Sequence, residues 1–327
     1  LRPRSEIKIV FFGTPNFAVP ILQKLVELGY DVELVITQPD KPGNRNRTEE
    51  PPVKLFAKEI GLSVVQPETL KSSEVVEILQ SKDPDLIVLA SYGKIIPKKV
   101  LDISRYGALN VHPSLLPRWR GASPVQAAIL SGDAKTGVSV FLMDEGMDTG
   151  PILIQHECEI RDDDTTVSLS ERLSKLGAEL LDTAILGYLD GNIIPKPQDD
   201  SKATYAPLIH KENGNITWNE PAFIIDRKVR ALNPWPGVKA NLLGNEVKIL
   251  RGKPSGMTIA GKQPGTILGL VDDAVMVACG DSTAYVVELL QLPSRKPVTG
   301  KQFLIGTRVP LREIIYNGVY KRVSDQS

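Results

Sequence analysis

Between Lys8 and Leu189 the chain alternates short apolar runs with amphipathic stretches, and that alternation restricts the fold more than any other feature. Lys8 to Phe12 (Lys-Ile-Val-Phe-Phe) ends at Gly13, and from Phe17 to Leu28 apolar residues fall at helical spacing until Gly29 stops them. Asp31 to Thr37 reads as a second strand, Val53 to Ile60 as a helix closed by Gly61, and Asp85 to Ala90 as another buried strand. Beyond Gly107 to Val111 come a helix from Ser123 to Ser131, two β-rich runs, Thr136 to Met143 and Pro151 to Ile160, and a long helix from Thr166 to Leu189. Strands that are apolar at nearly every position need cover on both faces. The pattern therefore predicts an α/β fold, a doubly wound and mostly parallel sheet of Rossmann-like kind.

Past the polar segment Asp199-Asp200-Ser201-Lys202 the texture changes. After a helical stretch from Pro221 to Ala231, short β runs (Glu246 to Leu250, Gly265 to Leu268, Ala274 to Ala278, Ala284 to Leu290) are separated by glycines and prolines. This predicts a small C-terminal β-barrel, OB-like. The expected organisation is an α/β domain over 1–200, a linker over 201–220 and the barrel domain over 221–327. A length of 327 residues suits two domains. The 39 basic and 39 acidic residues balance overall, but residues 206–327 hold 16 of the former and 10 of the latter, a net of +6 against −6 for the remainder. A polyanionic partner for the C-terminal third and a merely solvated basic surface both fit that asymmetry. Cys158 and Cys279 are the only cysteines, which leaves no basis for a disulfide framework or a cysteine-rich metal site, and they read as two buried thiols. No apolar run is long enough for a membrane span, and no signal-peptide core is present, so a cytoplasmic, monomeric protein without membrane contact is expected.

Three glycines mark a dinucleotide-binding turn. Here the first turn is Gly13-Thr14-Pro15-Asn16-Phe17-Ala18, which lacks two of them and places Phe17 where a pyrophosphate would approach. A P-loop and a Gly-x-Ser-x-Gly elbow are absent as well. The densest chemistry lies in Gly107 to Pro117 (Gly-Ala-Leu-Asn-Val-His-Pro-Ser-Leu-Leu-Pro). In a strand, residues two apart share a face, so Asn110 and His112 point one way and Leu109 and Val111 the other. Pro113 ends the strand, at the edge where open α/β sheets bind ligands. A second polar turn, Asp144-Glu145-Gly146-Met147-Asp148-Thr149-Gly150, presents Asp148 between two glycines. Taken singly, these segments also describe a surface Asn–His pair and an ordinary Asx turn. Together a neutral donor, an imidazole and a carboxylate suit acyl-group chemistry, in which an oxyanion is stabilised and protons move.

The stretches Phe12-Gly13-Thr14-Pro15-Asn16-Phe17-Ala18, Tyr92-Gly93-Lys94-Ile95-Ile96-Pro97, Asn110 to Gly121 and Met143 to Gly150, with Asn233-Pro234-Trp235-Pro236-Gly237 further on, resemble the methionyl-tRNA formyltransferase family over nearly the whole chain. The Asn-x-His-x-Ser-Leu-Leu-Pro core is similar to that of 10-formyltetrahydrofolate-dependent formyltransferases in general. It implies the chemistry, while Arg118-Trp119-Arg120-Gly121 and the two-domain length point to the tRNA enzymes. The resemblance implies formyl transfer from 10-formyltetrahydrofolate, a co-substrate, to the α-amino group of methionyl initiator tRNA, without a metal. It casts Asn110 as oxyanion donor, His112 as a second stabiliser and proton mover, and Asp148 as the group that tunes the histidine. It implies folate contacts from Ser114, Leu115, Leu116 and Pro117, with Leu89, Tyr92 and Ile95 lining the same pocket. Lys41, Arg45 and Arg47 would meet tRNA from the long loop Gln38 to Pro52. That loop departs from the family's usual Gly-Arg-Gly-Lys-Lys pattern, reading Asn44-Arg45-Asn46-Arg47 with Glu49 and Glu50 to cancel part of its charge. The same chemistry on a sugar-nucleotide amine, or folate-formyl hydrolysis, is the competing expectation, and a non-catalytic tRNA-binding protein a more distant one. His156 and His210 lack ligand spacing and read as structural, and Trp119, Trp218 and Trp235 as packing anchors.

Overall fold

The computed structural model describes residues 2–42 and 48–307. The chain falls into two compact units, one built from residues up to Pro207 and the other mainly from Leu208 onward.

The first unit is organised by seven strands: β1 (Lys8–Gly13), β2 (Asp31–Ile36), β3 (Val64–Val65), β4 (Leu86–Ala90), β5 (Ala108–His112), β6 (Lys135–Leu142) and β7 (Ile152–Glu159). Their order across the sheet is β7-β6-β5-β4-β1-β2-β3. The pairs from β3 through β5 are parallel, and β6 and β7 add antiparallel at one edge. The mostly parallel sheet expected from the alternation is thus present, with its reversal of strand order between β1 and β4.

Both faces are covered, which is why β4 and β5 are buried at every position. On one face Val10, Phe12, Ile87, Leu89 and Ala108 share a core with Val75, Val76 and Leu79 of the helix α1 (Ser73–Ser81). Asn110 and His112 lie on the same face, two and four residues beyond Ala108. The opposite face meets α2 (Thr166–Leu189), where Gly177 crosses so closely that an added Cβ would sit 2.6 Å from Val111 Cγ1 and 3.5 Å from Val138 Cγ1. The helix can lie this near the strand only because position 177 carries no side chain. The catalytic candidates therefore sit on a strand pinned from behind.

In the second unit a helix, Ala222–Leu232, packs against an antiparallel sheet containing Val238–Leu242, Asn245–Pro254, Ala284–Gln291, Ala274–Ala278 and Ile267–Val271 in that spatial order. Two expectations about single residues are corrected, those for Cys158 and Trp235. Cys158 is half-buried on edge strand β7, whereas Cys279 is buried and its thiol is pushed up to about 12 by that burial. Trp218 is a buried anchor donating to Asn241 O at 2.7 Å, but Trp235 is 54% exposed. In the turn that holds Trp235, the anchor is Asn233, whose amide donates to Val229 O and Ile249 O.

Candidate active site

β5 delivers Asn110 and His112 side by side, each less than a tenth exposed. Register places Asn110 between Leu89 of β4 and Phe141 of β6, and His112 beside Ser139. The His112 ring packs edge-on against Phe141, with centroids 6.4 Å apart. Its Nε2 lies 3.0 Å from Trp119 O. A carbonyl can only accept, so Nε2 carries the hydrogen in the neutral ring and Nδ1 is left as the basic nitrogen. Nδ1 faces Asp148 Oδ2 at 3.7 Å, just beyond hydrogen-bond length. Among the described residues no protein group hydrogen-bonds the Asn110 carboxamide, so its N–H donors are available to a ligand.

Asp148 comes from the loop between β6 and β7. That loop is internally tied: Asp144 Oδ1 accepts from Gly146 N at 3.0 Å and from Thr149 Oγ1 at 2.6 Å, an Asx turn. Gly150 must be glycine, because a Cβ there would collide with Leu142 O. Asp148 adopts φ +55°, a left-handed conformation unusual for a non-glycine residue. Its carboxylate accepts from Gly121 N at 2.8 Å, which aims Oδ2 toward the histidine. Behind the loop, Gln198 Nε2 donates to Asp148 O and Gly150 O at 2.8 and 2.7 Å, while Gln198 Oε1 accepts from the buried Arg120 guanidinium. Gln198 carries no signal in the sequence, and Arg120 stands out there only within Arg118-Trp119-Arg120-Gly121, with no role at Asp148. Residue 198 is 50 positions from 148, and no local spacing reports such a contact.

The residues expected to meet folate are distributed as follows. Ser114 is fully buried, donating from Oγ to Arg118 O at 2.6 Å, and Leu115 leans on Gly137 of β6. Leu116 is buried, its N bonded to Ser139 Oγ at 3.0 Å, and Pro117 is half-buried. Leu89 and Tyr92 lie in the core under this face, Tyr92 edge-on to Phe12, whereas Ile95 is 90% exposed. A cavity of about 530 Å³ opens nearby, lined among others by Leu101, Ala108, Met143, Asp144 and Glu145. Its wall at Ala108 is two residues along β5 from Asn110 and on the same face. None of the seven residues lines that cavity.

Of the loop residues, Lys41 is exposed and pairs through Lys41–Pro42 with Thr48–Glu49. Arg45 and Arg47 lie outside the described residues. Glu50, expected to cancel part of the loop's positive charge, is instead bonded to Lys54 and Lys58. Lys54 Nζ also holds Asp40 at 2.7 Å, so one buried ammonium joins both ends of the loop. Contact with Lys54, then with Lys58, keeps the Glu50 carboxyl below its usual range. His156 and His210 are exposed, and among the described residues no group of three or more His, Cys, Asp or Glu could hold a metal ion. No described helix is long and apolar enough to cross a membrane.

Comparison with known proteins bears on the family and the fold. A family model described as "Formyl transferase" matches residues 7–185, and one described as "Formyl transferase, C-terminal domain" matches residues 208–308. A methionyl-tRNA formyltransferase of Caldanaerobacter subterraneus is 41% identical over 93% of this chain and 98% of its own. One from Geobacillus thermodenitrificans is 44% identical over 91% and 93%. Among solved structures, HypX from Aquifex aeolicus in complex with tetrahydrofolic acid superposes with a TM-score of 0.65 at 20% identity, over 92% of this chain and 47% of that one, so this chain spans about half of HypX. WlaRD, a sugar 3N-formyl transferase crystallised with dTDP and 5-N-formyl-THF, gives 0.64 at 20% identity over 89% and 99%. At such identities the likeness speaks for the fold. The family models and the full-length relatives above 40% identity go further: the chain belongs to the formyl transferase family, among the methionyl-tRNA formyltransferases.

Proposed function

We propose that this protein transfers the formyl group of 10-formyltetrahydrofolate to the α-amino group of methionyl initiator tRNA, giving N-formylmethionyl-tRNA. The observation that carries the reading is the meeting of Asn110, His112 and Asp148, with His112 Nδ1 3.7 Å from Asp148 Oδ2. The names of the full-length relatives supply the acceptor.

The folate supplies a formyl carbon activated by attachment to N10. The fit to it rests on the cavity beside Ala108: Leu101, Ala108 and Met143 offer apolar walls for a flat ring, and Asp144 and Glu145 offer acceptors for its N–H edge. Asn110, with donors uncommitted to protein, is placed to donate a hydrogen bond to the formyl oxygen as negative charge develops there. His112 stands two residues further along the strand, its Nδ1 free to take a proton released by the attacking amine. Asp148 stands beside that nitrogen, its Oδ2 3.7 Å from Nδ1, where it can orient the ring and receive the migrating proton in a relay toward N10. The burial of Asn110 and His112, with Asp148 half-buried beside them, limits the access of water to the formyl carbon.

Single substitutions test these roles. In single-turnover assays, His112→Ala and Asp148→Asn proteins that fold normally are expected to transfer formyl far more slowly than the parent, with folate binding retained. Parental rates in either variant would remove the site from the reaction.

A further inference from the structure

We propose that Gln198 is a positioning residue for Asp148, itself locked in orientation by the buried guanidinium of Arg120. The inference rests on the assignment of Asp148 to formyl transfer made above.

Arg120 is 2% exposed. Its Nε and Nη2 donate to Gln198 Oε1 at 3.1 and 2.8 Å, and Nη2 also reaches Asp200 Oδ1 at 2.7 Å. A guanidinium can only donate, so the oxygen of the Gln198 amide must face it. The amide nitrogen is thereby turned to the catalytic loop, where its two N–H groups are used on Asp148 O and Gly150 O. Every hydrogen-bonding position of the Gln198 amide is then filled, and none is left for a competing orientation.

The loop needs such a hold. Asp148 sits at φ +55°, a conformation an aspartate leaves readily when its neighbours do not fix it. Gln198 grips the backbone on both sides of Thr149. Gly121, the residue after Arg120, holds the Asp148 carboxylate from in front at 2.8 Å. Arg120 and Gly121 are themselves strand-paired with Tyr205 and Ala206. One stitched block thus fixes the Asp148 backbone through Gln198 and its carboxylate through Gly121. Relaxation of the turn would carry Oδ2 away from His112 Nδ1.

Gln198→Glu separates this role from a merely structural one. The substituted carboxylate still accepts from Arg120, so the variant is expected to fold, with some loss of melting temperature, but it has no N–H for Asp148 O or Gly150 O and releases the turn. The expected result is a kcat lower by about 10- to 100-fold with KM for folate and tRNA little changed. In an Asp148→Asn background the same change should cost nothing further, because the residue it positions is already disabled. Parental kcat in folded Gln198→Glu, or an equal loss with and without Asp148, overturns the proposal. Should Gln198→Glu not fold, Arg120→Lys tested in the same cycle answers the question, since a point charge cannot hold the amide as a fork does. Full activity of Asp148→Asn alone would instead sink the assignment of Asp148, and with it the premise.

Discussion

At the scale of single residues, the chemistry depends on which polar groups are committed and which are free. His112 has Nε2 committed to Trp119 O and Nδ1 open toward Asp148, while Asn110 keeps its donors for a ligand. Removing one oxyanion donor from a preorganised site costs about 100- to 1000-fold in rate. Asn110→Ala is accordingly expected to keep its melting temperature and lose single-turnover rate by that order, while Asn110→Asp, which offers no donor when ionised, should do no better. Away from the site, Asp182 accepts from Arg4 at 2.8 Å on both oxygens and from Tyr30 at 2.7 Å. Those contacts, the Arg4 bond above all and then the Tyr30 hydroxyl, hold its carboxyl below the usual range against the opposing effect of burial. A carboxyl depressed in the folded state stabilises the fold fully above its unfolded value and loses that contribution as pH falls through the folded one. Thermal melts from neutral pH downward should therefore fall more steeply on the acid side for the parent than for Asp182→Asn, which starts lower and has no such charge to lose. Parallel curves would show that the Arg4 contact contributes nothing.

Secondary-structure elements set where those residues stand. α2 reaches the back of β5 only through Gly177, and the strand's opposite face carries Asn110 and His112. Gly177→Ala gains about 1 kcal/mol of helix propensity but forces a β-branched neighbour, Val111, to yield; overpacking of this kind costs about 1–3 kcal/mol. Net destabilisation is expected in urea titration, larger for Gly177→Val, and stabilisation would mean the helix can ride further out without cost. The 38–52 loop is an element of a different sort, its two ends joined at Lys54 through Asp40 and Glu50. Lys54→Met is expected to raise KM for tRNA several-fold while leaving KM for folate and the rate at saturation near the parent's, and no change would free the loop from any part in tRNA binding. The alternation of apolar runs makes the parallel sheet legible in the sequence, and period-two spacing places Asn110 and His112 on one face. Asp148 was legible only beside its flanking glycines. The grip of Gln198 and Arg120 was not, because it joins segments 50 to 80 positions apart through side-chain amides and a guanidinium that leave no periodic trace. The exposure of Trp235 escaped for a similar reason: hydrophobicity suggested an anchor, whereas the neighbouring Asn233 amide performs that task.

For the whole molecule, charge and acceptor are the open quantities. The net +6 of residues 206–327 is partly answered within the second unit, where Lys239, Arg251, Lys253 and Lys301 each face a carboxylate. Attraction to tRNA should therefore rest on a handful of phosphate contacts, with log K falling against log salt at a slope on the order of −3. A flat dependence in filter binding would assign tRNA recognition to groups other than these cations. The acceptor itself is decided by one assay: transfer of labelled formyl from 10-formyltetrahydrofolate, offered methionyl initiator tRNA, uncharged initiator tRNA, free methionine and a sugar-nucleotide amine in parallel. Label confined to the methionyl-tRNA is the outcome that the Asn110–His112–Asp148 site and the full-length relatives predict. Label on the sugar-nucleotide amine, or release as formate with the charged tRNA untouched, would contradict the acceptor while leaving the formyl chemistry of the site in place.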